Sequence, residues 1–318
     1  MEKFDQDALS AYYNARKSLG KTHTFWMGKV DVPNNTVTWK EYDHRKTDGL
    51  GAFISTLKDM GIHNIDYPSI KNPTPPNTGK KQKIIERAIK RKKQWKVDWK
   101  KRKPRTHNNH AIKWRVIDEN TSQNILHTAK KNQVSLNSYL LFTLNKVIGR
   151  HLTKPESSYF WAMPVNMRGA VELPNPSQNH FSFISIEAFA ASGPQEIHRE
   201  IKDQFRAQEH WAFWDIFRFM ASSPEILNQT VGSASDDTRI GTFSNLGQWN
   251  INQLTPKDTF IFVPSITSDS PIAIGVTHIN NKIGLAMHID PSLGITNEQS
   301  DLLMNTWSET LHPRSSNA

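Results

Sequence analysis

Residues 43–49 read DHRKTDG and place His44 four positions before Asp48, with Gly49 next. An imidazole has an ordinary pKa of about 6.5, so it can take a proton from a nucleophile near neutral pH. A carboxylate at the mouth of a helix is stabilised by the free N–H groups there. The glycine suits a sharp change of direction. Two readings fit these residues, and on spacing alone the plainer one leads. It is a strand-to-helix turn with a capping aspartate; the other is a general base carried on that turn.

The flanking sequence predicts how His44 is positioned. THTFWMGKVD (22–31) and TVTWKEYD (36–43) alternate as strands, and VPNN between them is a turn signal, so a hairpin is expected. It delivers His44 to a strand end. A helix follows from about Leu50 to Met60, with Leu50, Phe53, Ile54 and Leu57 on one face. A short helix over 6–18 precedes the hairpin. Beyond residue 110 the pattern predicts strands at 111–117, 158–165, 180–190, 239–245, 259–264, 271–279 and 282–289. Helices are predicted at 119–131, 135–152, 194–210 and from Asn297 to Leu311, and the run WAFWDIFRFM reads as buried helix. Interleaved helices and strands without a short repeat indicate a layered α/β architecture.

With 318 residues, 36% of them hydrophobic and 22% charged, the chain suits one large or two modest domains. No apolar run reaches the roughly 18 residues of a membrane span. MEKFDQDALSAYY lacks the apolar core of a signal peptide. There is no cysteine, which excludes disulfides, thiolate nucleophiles and zinc–thiolate sites. His107 and His110 have no further ligand nearby, so no metal site is expected; His278, His288, Trp211 and Trp214 read as packing residues. A cytoplasmic location is the expectation.

Taken together with its context, the motif resembles a known family. His44-x-x-x-Asp48-Gly49 between a strand and a helix is similar to the HxxxDG motif of the CoA- and carrier-protein-dependent acyltransferases. That superfamily includes chloramphenicol acetyltransferase, nonribosomal peptide condensation domains and wax ester/diacylglycerol acyltransferases. SLNSYLLFTLNKVIGRHL, MPVNMRG (163–169), NHFSFISIE (179–187), IGTFSNLG (240–247) and KIGLAMHIDPSLGIT resemble, in order, segments of the family's C-terminal lobe. The likeness covers roughly residues 22–60 and 110–312. It implies a chloramphenicol acetyltransferase-like two-layer α/β sandwich, with two related lobes facing each other across a tunnel. It implies His44 as the base that deprotonates a hydroxyl or amine acceptor attacking a thioester. It further implies Asp48 as an architectural residue tied to a distant arginine, for which Arg168 is the candidate. Ser244 and Asn245 are candidates for oxyanion donors or tunnel lining, although Ser-Asn-Leu-Gly also fits a turn. No bound cofactor is implied; acyl-CoA or an acylated carrier protein is the co-substrate. Two departures stand out. Asp43 occupies the place where condensation domains carry a second histidine, and only 43 residues precede His44, which implies a shortened N-terminal lobe over 1–65.

Residues 66–79 contain four prolines and read as a linker within a segment, 66–109, that joins this lobe to the C-terminal lobe over 110–318. Fourteen Lys and Arg against Glu86 and Asp98 follow in 80–105, a local charge of +12, so the remainder of the chain carries about −2 of the formal +10. One or two basic amphipathic helices ending at Pro104 are predicted there. Ile85, Ala88 and Ile89 would share one face, and Trp95 and Trp99 another. Lys90, Arg91, Lys92, Lys93, Lys100, Lys101 and Arg102 are the candidate partner-binding cations. Their partners include an acidic acyl carrier protein, the phosphates of coenzyme A and an anionic membrane surface with the tryptophans at its interface; nucleic acid ranks lower, and a solvated linker is the plain alternative. Peripheral attachment to a membrane is therefore an expectation alongside cytoplasmic location. Two further function classes stay open: a non-catalytic scaffold that keeps the fold, and a nucleic-acid or membrane binder acting through the insert.

Overall fold

The computed structural model describes residues 6–18, 24–68, 75–92, 95–104, 111–171, 175–221, 223, 225, 239–255, 257–267 and 269–312. In chain order the elements are α1 (Gln6–Ser18), β1 (Thr24–Asp31), β2 (Thr36–Asp43), α2 (Gly49–Asp59), α3 (Thr78–Lys92), β3 (Lys113–Ile117), α4 (Glu119–Lys131) and α5 (Leu136–Leu152). There follow β4 (Ser158–Asn166), β5 (Phe181–Phe189), α6 (Pro194–Arg206), α7 (Glu209–Ala221), β6 (Arg239–Trp249), β7 (Thr259–Val263), β8 (Ile272–Ile279), β9 (Lys282–Ile289) and α8 (Asn297–Leu311).

The hairpin forms in full register, from Thr24 opposite Asp43 to Asp31 opposite Thr36, so β2 ends one residue before His44. Asn35 takes the left-handed conformation that the turn requires, at φ 50°. These two strands belong to a three-stranded sheet ordered β2-β1-β7. A six-stranded sheet ordered β3-β9-β8-β6-β4-β5 forms the second lobe, with β6 parallel to β4 and β8 and the other pairs antiparallel.

The main core lies between this larger sheet and its helices. Leu140, Leu144 and Ile148 on α5 meet Trp161 on β4 and Trp307 on α8, all essentially inaccessible. A second core packs α2, through Phe53, Ile54 and Leu57, against Phe25 of β1 and Phe260 and Phe262 of β7. Burying side chains of this size contributes about 1.5–3 kcal/mol each, which holds α2, and the turn before it, in place.

β7 joins the two lobes. It comes from the later part of the chain yet completes the sheet begun by the hairpin, pairing Trp26 with Val263 and Val30 with Thr259. It also lies directly on the larger sheet. Thr277 Oγ1 donates to the Phe260 carbonyl at 2.6 Å. A Cβ at Gly275 would come within 1.5 Å of the Phe262 carbonyl oxygen, so only glycine permits this approach. All eight residues of β8 are buried as a result.

The basic insert departs from expectation in where its helix stops. It contains one helix, α3, ending at Lys92 rather than near Pro104; Ile84 and Ala88 are buried and Ile85 half-buried, and the side chain of Ile89 lies outside the described residues. Residues 95–103 are an extended strap, not a second helix. Lys96 bridges to Ser158 and Trp99 to Thr153, and the Lys103 N–H donates to the Ser292 carbonyl at 2.7 Å. Trp95 packs on Phe160 and Trp99 enters the main core, leaving them 4% and 9% exposed. The tryptophans are therefore consumed by the fold and do not form a membrane-facing pair. Two large rings gain more from covering the start of β4 and the end of α5 than from staying in water. Among the described residues, no helix is long and apolar enough to cross a membrane.

Candidate active site

The turn after β2 and the segment entering β5 are bound together residue by residue. Asp48 caps α2, accepting from the Gly51 N–H at 2.7 Å. Its two oxygens also receive the guanidinium of Arg168 in a bidentate pair, at 2.9 and 3.0 Å, and Oδ2 takes the His180 N–H at 2.8 Å. Arg168 spends its remaining donors on the carbonyls of Pro176 and Gln178 and on Asn166 Oδ1. Thr47 Oγ1 donates to the Ser177 carbonyl at 2.5 Å. Gly51 passes so close to that carbonyl that a Cβ would lie 2.2 Å from it. Each residue from 176 to 180 is thus bonded to His44, Thr47, Asp48 or Arg168.

Asp48 and Arg168 are 4% and 2% exposed, and every oxygen of the carboxylate is engaged. Burial alone would raise the Asp48 pKa. The adjacent guanidinium and the hydrogen bonds from Gly51 and His180 outweigh it, so the group is held below the ordinary carboxylate value and is ionised. His180 lies beside the same arginine; burial first, then that positive charge, pushes it down to about 4, and it is neutral at pH 7.

His44 sits at the end of this stapled turn. Asn179 grips it twice: Nδ2 donates to the His44 carbonyl at 2.5 Å, and Oδ1 faces His44 Nδ1 at 3.1 Å. The first bond orients the amide, because only its NH2 end can donate to a carbonyl. The oxygen must then accept from Nδ1–H, which leaves the lone pair on Nε2. The second nitrogen is accordingly the basic one.

Three rings box the imidazole. Tyr13 of α1 stacks on it at 5.0 Å between centroids, Phe25 presents an edge at 5.1 Å, and Phe181 lies tilted at 4.9 Å. The ring is half-buried and keeps some contact with solvent. Enclosure lowers the His44 pKa, partly opposed by the Asp48 carboxylate and the Asn179 bond, so the neutral form is favoured. Asp43 forms an ion pair with Arg45 and receives its backbone N–H.

The two candidate oxyanion residues separate. Asn245 Nδ2 donates to Asn137 at the start of α5 and Oδ1 accepts from the Gly247 N–H at 2.8 Å, so both ends of the amide are committed to shaping the turn. Ser244 is buried on the opposite face of β6, the face whose Leu246 packs with Phe25 and Phe262 of the smaller sheet. Of the basic candidates, Arg91 is engaged by Glu200 and Glu209. Lys100 donates to the Arg150 carbonyl, and Arg102 covers Trp99. Lys90 is exposed on α3 and Lys101 packs against Gly294. Lys93 and the side chain of Lys92 lie outside the described residues, as do His107 and His110. Among the described residues no group of three or more His, Asp or Glu side chains is placed to hold a metal ion.

Sequence reasoning assigned no role to Asn179 or Tyr13. Asn179 stands in the NHFSFISIE segment but is 135 positions from His44, and α1 carries no spacing that announces its contact.

No protein-family model and no curated protein matches this sequence. Solved structures do. The EpoB cyclization-docking bidomain from Sorangium cellulosum superposes with a TM-score of 0.57 at 11% identity, covering 86% of this chain and 59% of that one. A trichothecene 15-O-acetyltransferase from Fusarium sporotrichioides gives 0.57 at 11% identity, covering 86% and 65%. The starter condensation domain of rhizomide synthetase, in complex with C8-CoA and Leu-SNAC, gives 0.54 at 9% identity, covering 86% and 64%. The chain spans about three-fifths of the length of these structures. It has the condensation-domain and chloramphenicol acetyltransferase-like fold.

Proposed function

We propose that this protein is an acyltransferase that moves an acyl group from a coenzyme A or carrier-protein thioester to a hydroxyl or amine, with His44 as general base. The observation that supports this most directly is the Asn179–His44 pair, which leaves a neutral imidazole presenting Nε2 within an aromatic enclosure. Neighbours of the same fold include an acetyltransferase and a condensation domain solved with a CoA ligand.

In the reaction, Nε2 takes the acceptor proton while the acceptor oxygen or nitrogen bonds to the thioester carbonyl carbon. The carbonyl oxygen carries the negative charge, and Ser244 is the candidate donor to it. Collapse breaks the carbon–sulfur bond, and the imidazolium returns its proton to the leaving sulfur. Asp48 and Arg168 hold the turn and take no proton.

The direct test incubates the full chain with a panel of acyl-CoA donors and hydroxyl or amine acceptors and follows free thiol. Acceptor-dependent thiol release supports the reading; none across a broad panel defeats it.

Two predictions arise here. A base works only when neutral, and burial lowers the His44 pKa, so the acid limb of kcat/KM should lie below pH 6.5. An acid limb at or above that value contradicts the assignment. Asn179→Ala should lower kcat on the order of tenfold or more, because the imidazole is free to take the other tautomer. Asn179→Asp should instead move the acid limb upward, since a carboxylate beside Nδ1 favours the imidazolium. An unchanged pH profile in the aspartate variant would show that this residue does not act through His44.

A further inference from the structure

Lys80, Lys83, Arg87 and Lys90 are all exposed on α3, at successive spacings of three, four and three residues. At about 100° per residue they fall within roughly 80° of arc, in a row about 15 Å long. The helix is held rigidly from its other side. Ile84 and Ala88 are buried, Lys81 Nζ lies 3.2 Å from Asp215, and Arg91 lies 3.5 Å from Glu209 and pairs with Glu200. None of the four row cations has an ion pair among the described residues. Glu86, on the same helix, is hydrogen-bonded by Gln82.

The chemistry of this face is narrow. A membrane-surface helix needs a free apolar side to bury among lipids, and that side of α3 is already spent on α7. Stacking onto bases needs exposed aromatic rings, and Trp95 and Trp99 are packed into the fold. No large exposed hydrophobic among the described residues lies on α3 or on the strap. What remains is a rigid row of cations at helical periodicity. Its natural complement is a second helix presenting carboxylates at the same i, i+3, i+7, i+10 spacing, held by charge.

We propose that the Lys80–Lys83–Arg87–Lys90 row is the docking face for an acidic helix of a partner protein. The choice of probe, though not the surface itself, rests on the thioester reading: an acidic acyl-carrier domain. The full chain is titrated with that domain at low and physiological salt, in three forms. These are wild type, a Lys80→Glu/Lys83→Glu/Arg87→Glu/Lys90→Glu variant, and a control reversing the exposed Lys58, Lys130, Lys131 and Lys154. Wild type and control should bind alike, and the row variant should bind roughly tenfold or more weakly, with its circular dichroism unchanged. The proposal is overturned if the carrier domain does not bind. It is equally overturned if row and control variants weaken to the same extent, or if a short DNA duplex or phosphatidylserine vesicles bind the row more tightly than the carrier. Row-dependent docking without acyl transfer would defeat the catalytic reading while leaving this one standing.

Discussion

His44→Ala is expected to lower acyl transfer by about 10²–10⁴-fold, the usual contribution of a positioned general acid–base group. The loss should appear in kcat, because the base acts on the proton in flight and adds little to the affinity of either substrate. Folding should survive. The imidazole is half-buried, its polar contact is with one side chain, and the Asn179 bond to the residue 44 carbonyl does not depend on which side chain stands there. The measurement is thiol release against donor and acceptor concentration, with thermal denaturation of the same preparation. If wild type and His44→Ala turn over alike, His44 is not the base. The chain would then be better read as a protein that keeps the fold for binding alone.

Arg168→Ala should cost stability on a comparable scale. The guanidinium is buried, forms both bonds of a bidentate pair with Asp48, and satisfies the carbonyls of Pro176 and Gln178. Removing it strands a buried carboxylate, and breaking one partner of such a pair costs about 3–5 kcal/mol. Arg168→Lys should not restore it, since a point charge cannot reproduce the planar fork. Asp48→Ala should be similarly severe, and the double variant should lose less than the two single losses together, because neither partner is left charged and alone. Urea or thermal unfolding of the four proteins completes the cycle. A single-variant loss below about 1 kcal/mol would mean the pair is not holding the turn.

The same pair sets a pH dependence. The Asp48 pKa is depressed on folding, so its contribution is present above the unfolded value of about 3.9 and is lost as pH falls through the folded one. His180 and His210, each pushed down to about 4 mainly by burial, act earlier in the acid range. Their contribution is complete above about 6.5 and fades between there and 4, since the unfolded chain takes up those protons first. Stability should therefore begin to fall below about pH 6.5, where the two histidines act, and continue to fall below about 4, where Asp48 takes over.

Much of the architecture was legible in the residues. The hairpin followed from alternation around a turn signal, and α2 followed from the spacing of Leu50, Phe53, Ile54 and Leu57. Most strands of the larger sheet announced themselves as apolar runs between breakers. The insert was not legible beyond its charge. Lysines beside tryptophans read the same whether the rings face lipid or the fold, and only the bridges to Ser158 and Thr153 decide between them.

The motif shows the division most clearly. Sequence by itself determined that a histidine ends a strand, that an aspartate caps the next helix and that a glycine makes the turn, because those are local demands of backbone geometry. It supplied Arg168 only through likeness to a family. Which nitrogen of His44 is basic, which rings enclose it, and why Asp48 is ionised while buried were decided by contacts from residues 19 and 31 positions upstream and 120 to 137 downstream. Protonation depends on dielectric and neighbouring charge at distances of a few ångströms, and only the folded chain brings Tyr13, Arg168, Asn179 and Phe181 that close.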